Sequence, residues 1–258
     1  MKGAITGDII GSTYEGNPVK HKQFTLFPPG TTFTDDTVLS VAVADAILNG
    51  RSYKETLHFY ARAYPGRGYG GNFLRWIREK DPEPYHSYGN GSAMRVSAVG
   101  FAFNSEAEVL AQAAFSAEPS HNHPEGIKGA QATALGIFMA RSGLRRSEIR
   151  ERIKDRFGYN LDRTLNEIRP SYTFKVSCQE SVPEAIIAFL ESSDYEDAIR
   201  NAISLGGDSD TLACIAGGIA EAYYRGIPED IERRALGYLD AELLSVVERF
   251  YEKYVRIM

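Results

Sequence analysis

The sequence predicts an all-α fold in one domain covering residues 1–258, and three observations carry that prediction. Nearly every long stretch repeats its apolar residues at helical spacing. No strand–helix–strand alternation appears, and the only strand-like stretch, residues 170–176, is short. The two most apolar stretches, residues 38–48 and 212–220, each follow a cluster of Asp and Thr, which start helices. A helix apolar on every face is buried on every face. The acidic mouths of these two helices therefore open inside the protein.

The totals agree with a soluble globular chain: 43% hydrophobic, 24% charged. A net charge of −5 gives no electrostatic footprint for nucleic acid. No apolar run spans a bilayer and no secretory signal opens the chain, so a cytoplasmic monomer is the expectation. Cys178 and Cys214 lack metal-type spacing and read as reduced and structural.

In chain order, Gly3, Gly7 and Gly11 form one smooth stripe on a first helix that reads through to Glu15. Glycine there costs about 1 kcal/mol per residue against alanine, so a neighbouring helix should pack closely against it. Asp8 reads as a buried capping carboxylate. Glu15, at the C-terminal end of that helix, opposes the dipole and is a candidate functional carboxylate. Residues 17–33 form a long loop, expected to be a lid or to face substrate. Thr34 caps a helix with Asp35 and Asp36 in its first turn, and Asn49 and Gly50 close it.

Residues 51–63 are helical, and 65–71 form a glycine-rich turn before another helix around residues 73–77. With no strand before it, that turn is not a dinucleotide or P-loop cradle. Loop 81–87 delivers Gly89, Asn90, Gly91, Ser92, Ala93, Met94 and Arg95, read as opening a helix through Phe103. Ser105 starts a helix to about Ala117, and residues 120–126 precede one over 127–140. His121 and His123 read as polar contacts to a ligand or to the loop. Residues 141–169 form a charged helical face. Ser181 and Glu184 read as a capping box before residue 185. Asp194 begins a helix to Leu205, Asp208, Asp210 and Thr211 form the second acidic mouth, and a charged amphipathic region follows Pro228 to the C-terminus.

One acidic helix start is ordinary capping, worth about 0.3–1 kcal/mol per charge. Two that meet are different, because like charges 4 Å apart repel by about 4 kcal/mol at an effective dielectric of 20. Such a pocket needs protons or cations. Oxygen ligands without Cys or His suit hard ions such as Mg²⁺ or Mn²⁺.

Five motifs in order resemble the ADP-ribosylglycohydrolases: Gly-Asp-x-x-Gly-x-x-x-Glu at 7–15, Thr-Asp-Asp-Thr at 34–37, Gly-Asn-Gly-Ser-Ala-Met-Arg at 89–95, Ser-His at 120–121 and Gly-Gly-Asp-Ser-Asp-Thr at 206–211. The resemblance implies a compact, orthogonal all-α bundle with two Mg²⁺ or Mn²⁺ ions in a cleft. It also implies that the two acidic mouths face each other. Thr34, Asp35, Asp36, Asp208, Asp210 and Thr211 resemble the metal ligands, and Glu15 the family's mobile glutamate, with Glu15 and Asp36 as catalytic residues. Gly89, Asn90, Gly91, Ser92 and Met94 resemble the diphosphate and ribose loop, and His121 the ribose histidine. Tyr88, Tyr172 and Phe174 are the candidates for stacking adenine. Asp81 and Glu83 are available as the further carboxylate of arginine-directed relatives.

The implied reaction is metal-dependent hydrolysis of the bond between ADP-ribose and a modified acceptor, nucleic acid entering only as such a substrate. A non-catalytic ADP-ribose-binding module and another two-metal hydrolase such as a phosphoesterase are the rivals. The intact ligand set argues against the first, the residue 89–95 motif against the second.

Overall fold

Glycine at every fourth position of the first helix brings the two ends of the chain together. In the computed structural model, which describes residues 1–255, α1 (Lys2–Gly11) lies along α13 (Ser209–Tyr224), the most extensive helix pair of the fold. A Cβ on Gly7 would stand 2.1 Å from the Ala213 carbonyl oxygen, and one on Gly3 would stand 2.3 Å from that of Gly217. Only a side chain reduced to hydrogen allows this approach. The contact offsets the helix propensity lost at the glycines.

Between them run α2 (Asp35–Asn49), α3 (Tyr53–Ala63), α4 (Gly71–Arg78), α5 (Gly91–Met94), α6 (Ser97–Ala102), α7 (Glu106–Ala117) and α8 (Pro124–Arg141). Then follow α9 (Arg146–Phe157), α10 (Leu165–Ile168), α11 (Cys178–Leu190) and α12 (Tyr195–Ile203), with α14 (Glu229–Leu236) and α15 (Ala241–Tyr254) after α13. Among the described residues there is no strand, only an isolated bridge between Gly89 and Ser177. The all-α expectation holds.

Helix α13 is buried from Ser209 to Ala222 and is walled by α1, α8, α11 and α12. Helix α2 is buried from Asp36 to Ala46 and packs on α3, α6 and α15. Thr34 caps α2 as expected, accepting from the Asp36 N–H at 3.3 Å, and Gly50 closes it at φ 62°.

Several local expectations are corrected. Helix α1 stops at Gly11, so Glu15 sits on the following turn and not on the helix. The helix expected through Phe103 is broken into α5 and α6 at Arg95 and Val96. Residues 170–176 alternate in sequence but their backbone forms no strand; Tyr172 is buried while Phe174 and Val176 are about half exposed. Ser181 and Pro183 lie inside α11, whose N-cap is Ser177; the Ser181 hydroxyl donates to the Lys175 carbonyl at 3.0 Å. The final charged region is two helices, and its residues 256–258 lie outside the described part.

Candidate metal and ligand site

The starts of α2 and α13 face each other. The Thr211 hydroxyl donates to Asp36 Oδ2 at 3.4 Å across 175 positions of sequence. Asp8, Asp36 and Asp210 each bring a carboxylate oxygen within 4.8 Å of the others, and Glu15, Asp208 and Asp210 do the same. Asp210 belongs to both triads.

Asp8, expected from the sequence to be a buried capping or hydrogen-bonding carboxylate, is both. It is fully buried on α1 and works across the helix gap. Its oxygens accept from the Thr34 N–H at 3.0 Å, the Thr34 hydroxyl at 2.7 Å, the Thr37 N–H at 3.1 Å and the Thr37 hydroxyl. A carboxylate on one helix thus fixes the start of another, and with it Asp35 and Asp36. Charge-assisted bonds to free helix N–H groups are the strong kind.

Packing carboxylates together out of water makes each harder to ionise. Burial, then the neighbouring Asp210, lifts Asp8 to about 7. The same two causes, in the same order, hold Asp35, Asp36 and Asp208 well above the usual carboxylate range, and partial burial with Asp210 raises Glu15. Asp36 Oδ1 is buried and has no hydrogen-bond partner. An unpartnered buried carboxylate oxygen, facing others in an all-oxygen set, fits a hard divalent cation.

Glu15, Asp35, Asp36, Asp208 and Asp210 line one side of a cavity of about 460 Å³, with Asp8 buried behind them. The residues that the resemblance offers as metal ligands, as the mobile glutamate, and as the 89–94 loop with its histidine all line it except Ser92, whose hydroxyl donates to the Gly126 carbonyl at 2.7 Å and is turned toward α8. Asn90 ties the glycine loop to the cluster: its side-chain amide donates to Asp208 Oδ2 at 2.7 Å and its N–H to the Val176 carbonyl at 2.7 Å. His121 is buried beneath that loop, and burial together with the Arg95 charge keeps its pKa well below the usual histidine value.

Other candidates fall elsewhere. His123 caps α8, its Nδ1 accepting from the Glu125 N–H at 3.0 Å, and does not line the cavity. Asp81 and Glu83 pair with Lys54 on the surface. No residue of the 17–33 loop lines the cavity. Lys20 of that loop instead donates to the Tyr172 and Leu205 carbonyls at 2.5 Å each. Of the aromatic candidates only Phe174 reaches the cavity.

The glycine-rich turn does belong to the site. Gly68, Gly70, Gly71 and Asn72 line the wall nearest Asp35, whose N–H donates to the Arg67 carbonyl at 2.7 Å. That contact joins segments distant in sequence, and no local pattern marked it. Tyr85 also lines the cavity and was not anticipated.

A family model described as ADP-ribosylglycohydrolase matches residues 1–256. The chain is 29% identical to ADP-ribosylhydrolase ARH3 of Homo sapiens, over 98% of this chain and 93% of that protein. It is 26% identical to an uncharacterized protein of Archaeoglobus fulgidus, over 99% of this chain and 96% of that one. A solved structure titled ADP-ribosylglycohydrolase-related protein complex superposes with a TM-score of 0.74 at 23% identity, covering 97% of this chain and 94% of that one, a likeness of fold. Among the described residues no helix is long and apolar enough to cross a membrane.

Proposed function

The chain belongs to the ADP-ribosylglycohydrolase family, and from that premise we propose that it is a cytoplasmic, monomeric hydrolase that uses two divalent cations, Mg²⁺ or Mn²⁺, to release ADP-ribose from a modified acceptor. The observation that carries the reading is the pair of carboxylate triads sharing Asp210, set in one cavity with the residue 89–91 loop. Its chain-distant halves act as one functional domain.

In this reading Asp36, Asp208 and Asp210 hold the cations, with Asp35, Thr34 and Thr211 completing the oxygen set. Asp8 orients that set through Thr34 and Thr37. When bound, the cations polarise the ribose hydroxyls and lower the pKa of the attacking water. Hydrolysis passes through an oxocarbenium-like state at the anomeric carbon, which the surrounding carboxylates stabilise. Glu15 stands at the rim, and its raised carboxyl retains a proton more readily than an ordinary glutamate. Its side chain takes the proton from water or passes one to the leaving atom of the acceptor. Asn90 holds the loop against Asp208, so the sugar and the cluster keep one spacing.

A panel of differently linked ADP-ribosylated substrates, with Mg²⁺ or Mn²⁺, tests the proposal. Release of free ADP-ribose that needs the cation and is lost in Asp36→Asn is expected. Unchanged release and unchanged cation content in that variant would overturn it.

A further inference from the structure

Beneath the residue 89–91 loop lies a chain of polar groups that the cation chemistry does not use. Arg95 is fully buried, and among the described residues no carboxylate pairs with it. Its Nη2 donates to the Ser116 carbonyl at 2.8 Å and to Ser120 Oγ at 2.9 Å, while Nε and Nη1 have no partner. Ser120 Oγ in turn stands 2.8 Å from His121 Nδ1. The other ring nitrogen, Nε2, makes no hydrogen bond among the described residues, and a Cβ on Gly91 would stand 3.0 Å from it. It is the atom His121 presents beside the loop.

We propose that Arg95 and Ser120 are positioning residues that hold His121 neutral with its proton on Nε2, so that the ring serves as a hydrogen-bond donor to a ligand oxygen at the 89–91 loop. The direction of each bond follows from what each group is able to do. Guanidinium only donates, so Ser120 Oγ accepts from Arg95. One hydroxyl proton then remains on Ser120, and His121 Nδ1 is the other side-chain partner that Oγ meets among the described residues. Ser120 therefore donates that proton to His121 Nδ1. That leaves Nε2 protonated. The buried Arg95 charge opposes a second proton on the ring. His121 is thus no general acid or base; it binds. The ring orientation and tautomer stand on these contacts alone, and only the identity of the oxygen, a ribose or diphosphate oxygen, rests on the ADP-ribose reading.

The test is nitrogen-15 NMR of the histidine rings in the full chain, with His121→Gln assigning the signal among the five histidines. The expected spectrum has Nδ1 bare, Nε2 protonated and no titration of His121 at the ordinary histidine value, its midpoint lying well below it. In Ser120→Ala, which removes one hydroxyl, the two tautomers mix, and ADP-ribose affinity falls by up to about a few-fold, in proportion to the fraction of ring left protonated on Nε2, while cation binding stays near wild type. In Arg95→Met, where it folds, the titration midpoint of His121 rises. A wild-type ring protonated on Nδ1, or a Ser120→Ala ring indistinguishable from wild type, overturns the proposal. Failure of the wild-type protein to bind ADP-ribose would overturn the functional reading and leave the tautomer result standing.

Discussion

The side-chain amide of Asn90 donates to Asp208 Oδ2 at 2.7 Å, joining the glycine loop to the carboxylate cluster inside the protein. Asn90 is anchored from both sides, since its N–H reaches the Val176 carbonyl and its side chain also meets the Ser181 hydroxyl at 3.2 Å. Removing the amide leaves Asp208 free to rotate and loosens the loop at once. Asn90→Ala should therefore weaken both cation and ADP-ribose binding, by about 10- to 100-fold for the cation, as expected for a lost partner of a metal ligand. Calorimetric titration of each ligand checks this; a loss confined to ADP-ribose would mean that Asn90 acts on the loop alone.

The carboxylate cluster sets a pH dependence with a definite sign. An aspartate titrates near 3.9 in the unfolded chain, whereas folded Asp8 is lifted to about 7. A carboxylate raised on folding contributes stability that is full below the unfolded value and is lost as pH rises through the folded one. The cation-free protein should lose melting temperature steadily between about pH 4 and 7, with Asp36 and Asp208 acting in the same direction. Mg²⁺ or Mn²⁺ should restore it, most strongly at the upper end of that window. Melting curves across the range, with chelator and with cation, measure both effects. Asp208→Asn should raise the cation-free melting temperature at pH 8 and abolish the response to cation.

The close approach of α1 to α13 predicts where a single methyl group is intolerable. In Gly7→Ala the new Cβ meets the Ala213 carbonyl oxygen at 2.1 Å and its carbon at 2.4 Å, both backbone atoms that no rotamer can move. The cost should exceed the usual 1–3 kcal/mol or so of overpacking, and because Asp8 is next in sequence, cation binding should go with it. Gly16→Ala, with nothing within 4 Å of its Cβ, should melt within a few degrees of wild type. Paired thermal and chemical denaturation of the two variants decides the matter.

Local chemistry made much of this legible beforehand. Thr34 as a cap, Gly50 as a left-handed stop, and the glycine stripe of α1 each follow from what one residue type does to a helix. What stayed hidden depends on partners distant in sequence. Glu15 reaches the cluster from a turn because the chain leaves α1 after Gly11, where a Cβ would strike Asp210. Pro183 sits inside α11, so the Ser181 pattern that resembled a helix start is a mid-helix hydroxyl reaching Lys175. The meeting of Asp36 with Thr211 came from the family resemblance, since no local pattern of charge or spacing determines how two helix starts face each other.

Three aromatic residues were candidates to stack an adenine, and their surroundings separate them. Tyr172 is buried, and its hydroxyl donates to the Glu180 carbonyl at 2.9 Å, so its ring is committed to the packing behind Gly207. Tyr88 lies outside the cavity, its ring edge-on to His123 at 5.4 Å. Phe174 lines the cavity and is 51% exposed, a large apolar side chain half open to solvent. A base stacked on an aromatic side chain is worth about 1–3 kcal/mol, which corresponds to a loss in affinity of roughly 5- to 150-fold when the ring is removed. Phe174→Ala should show that loss for ADP-ribose and almost none for ribose 5-phosphate, which has no base to stack. Tyr88→Ala should leave both unchanged. Equal losses for the two ligands in Phe174→Ala would place the ring against the sugar or the phosphate and not against the base.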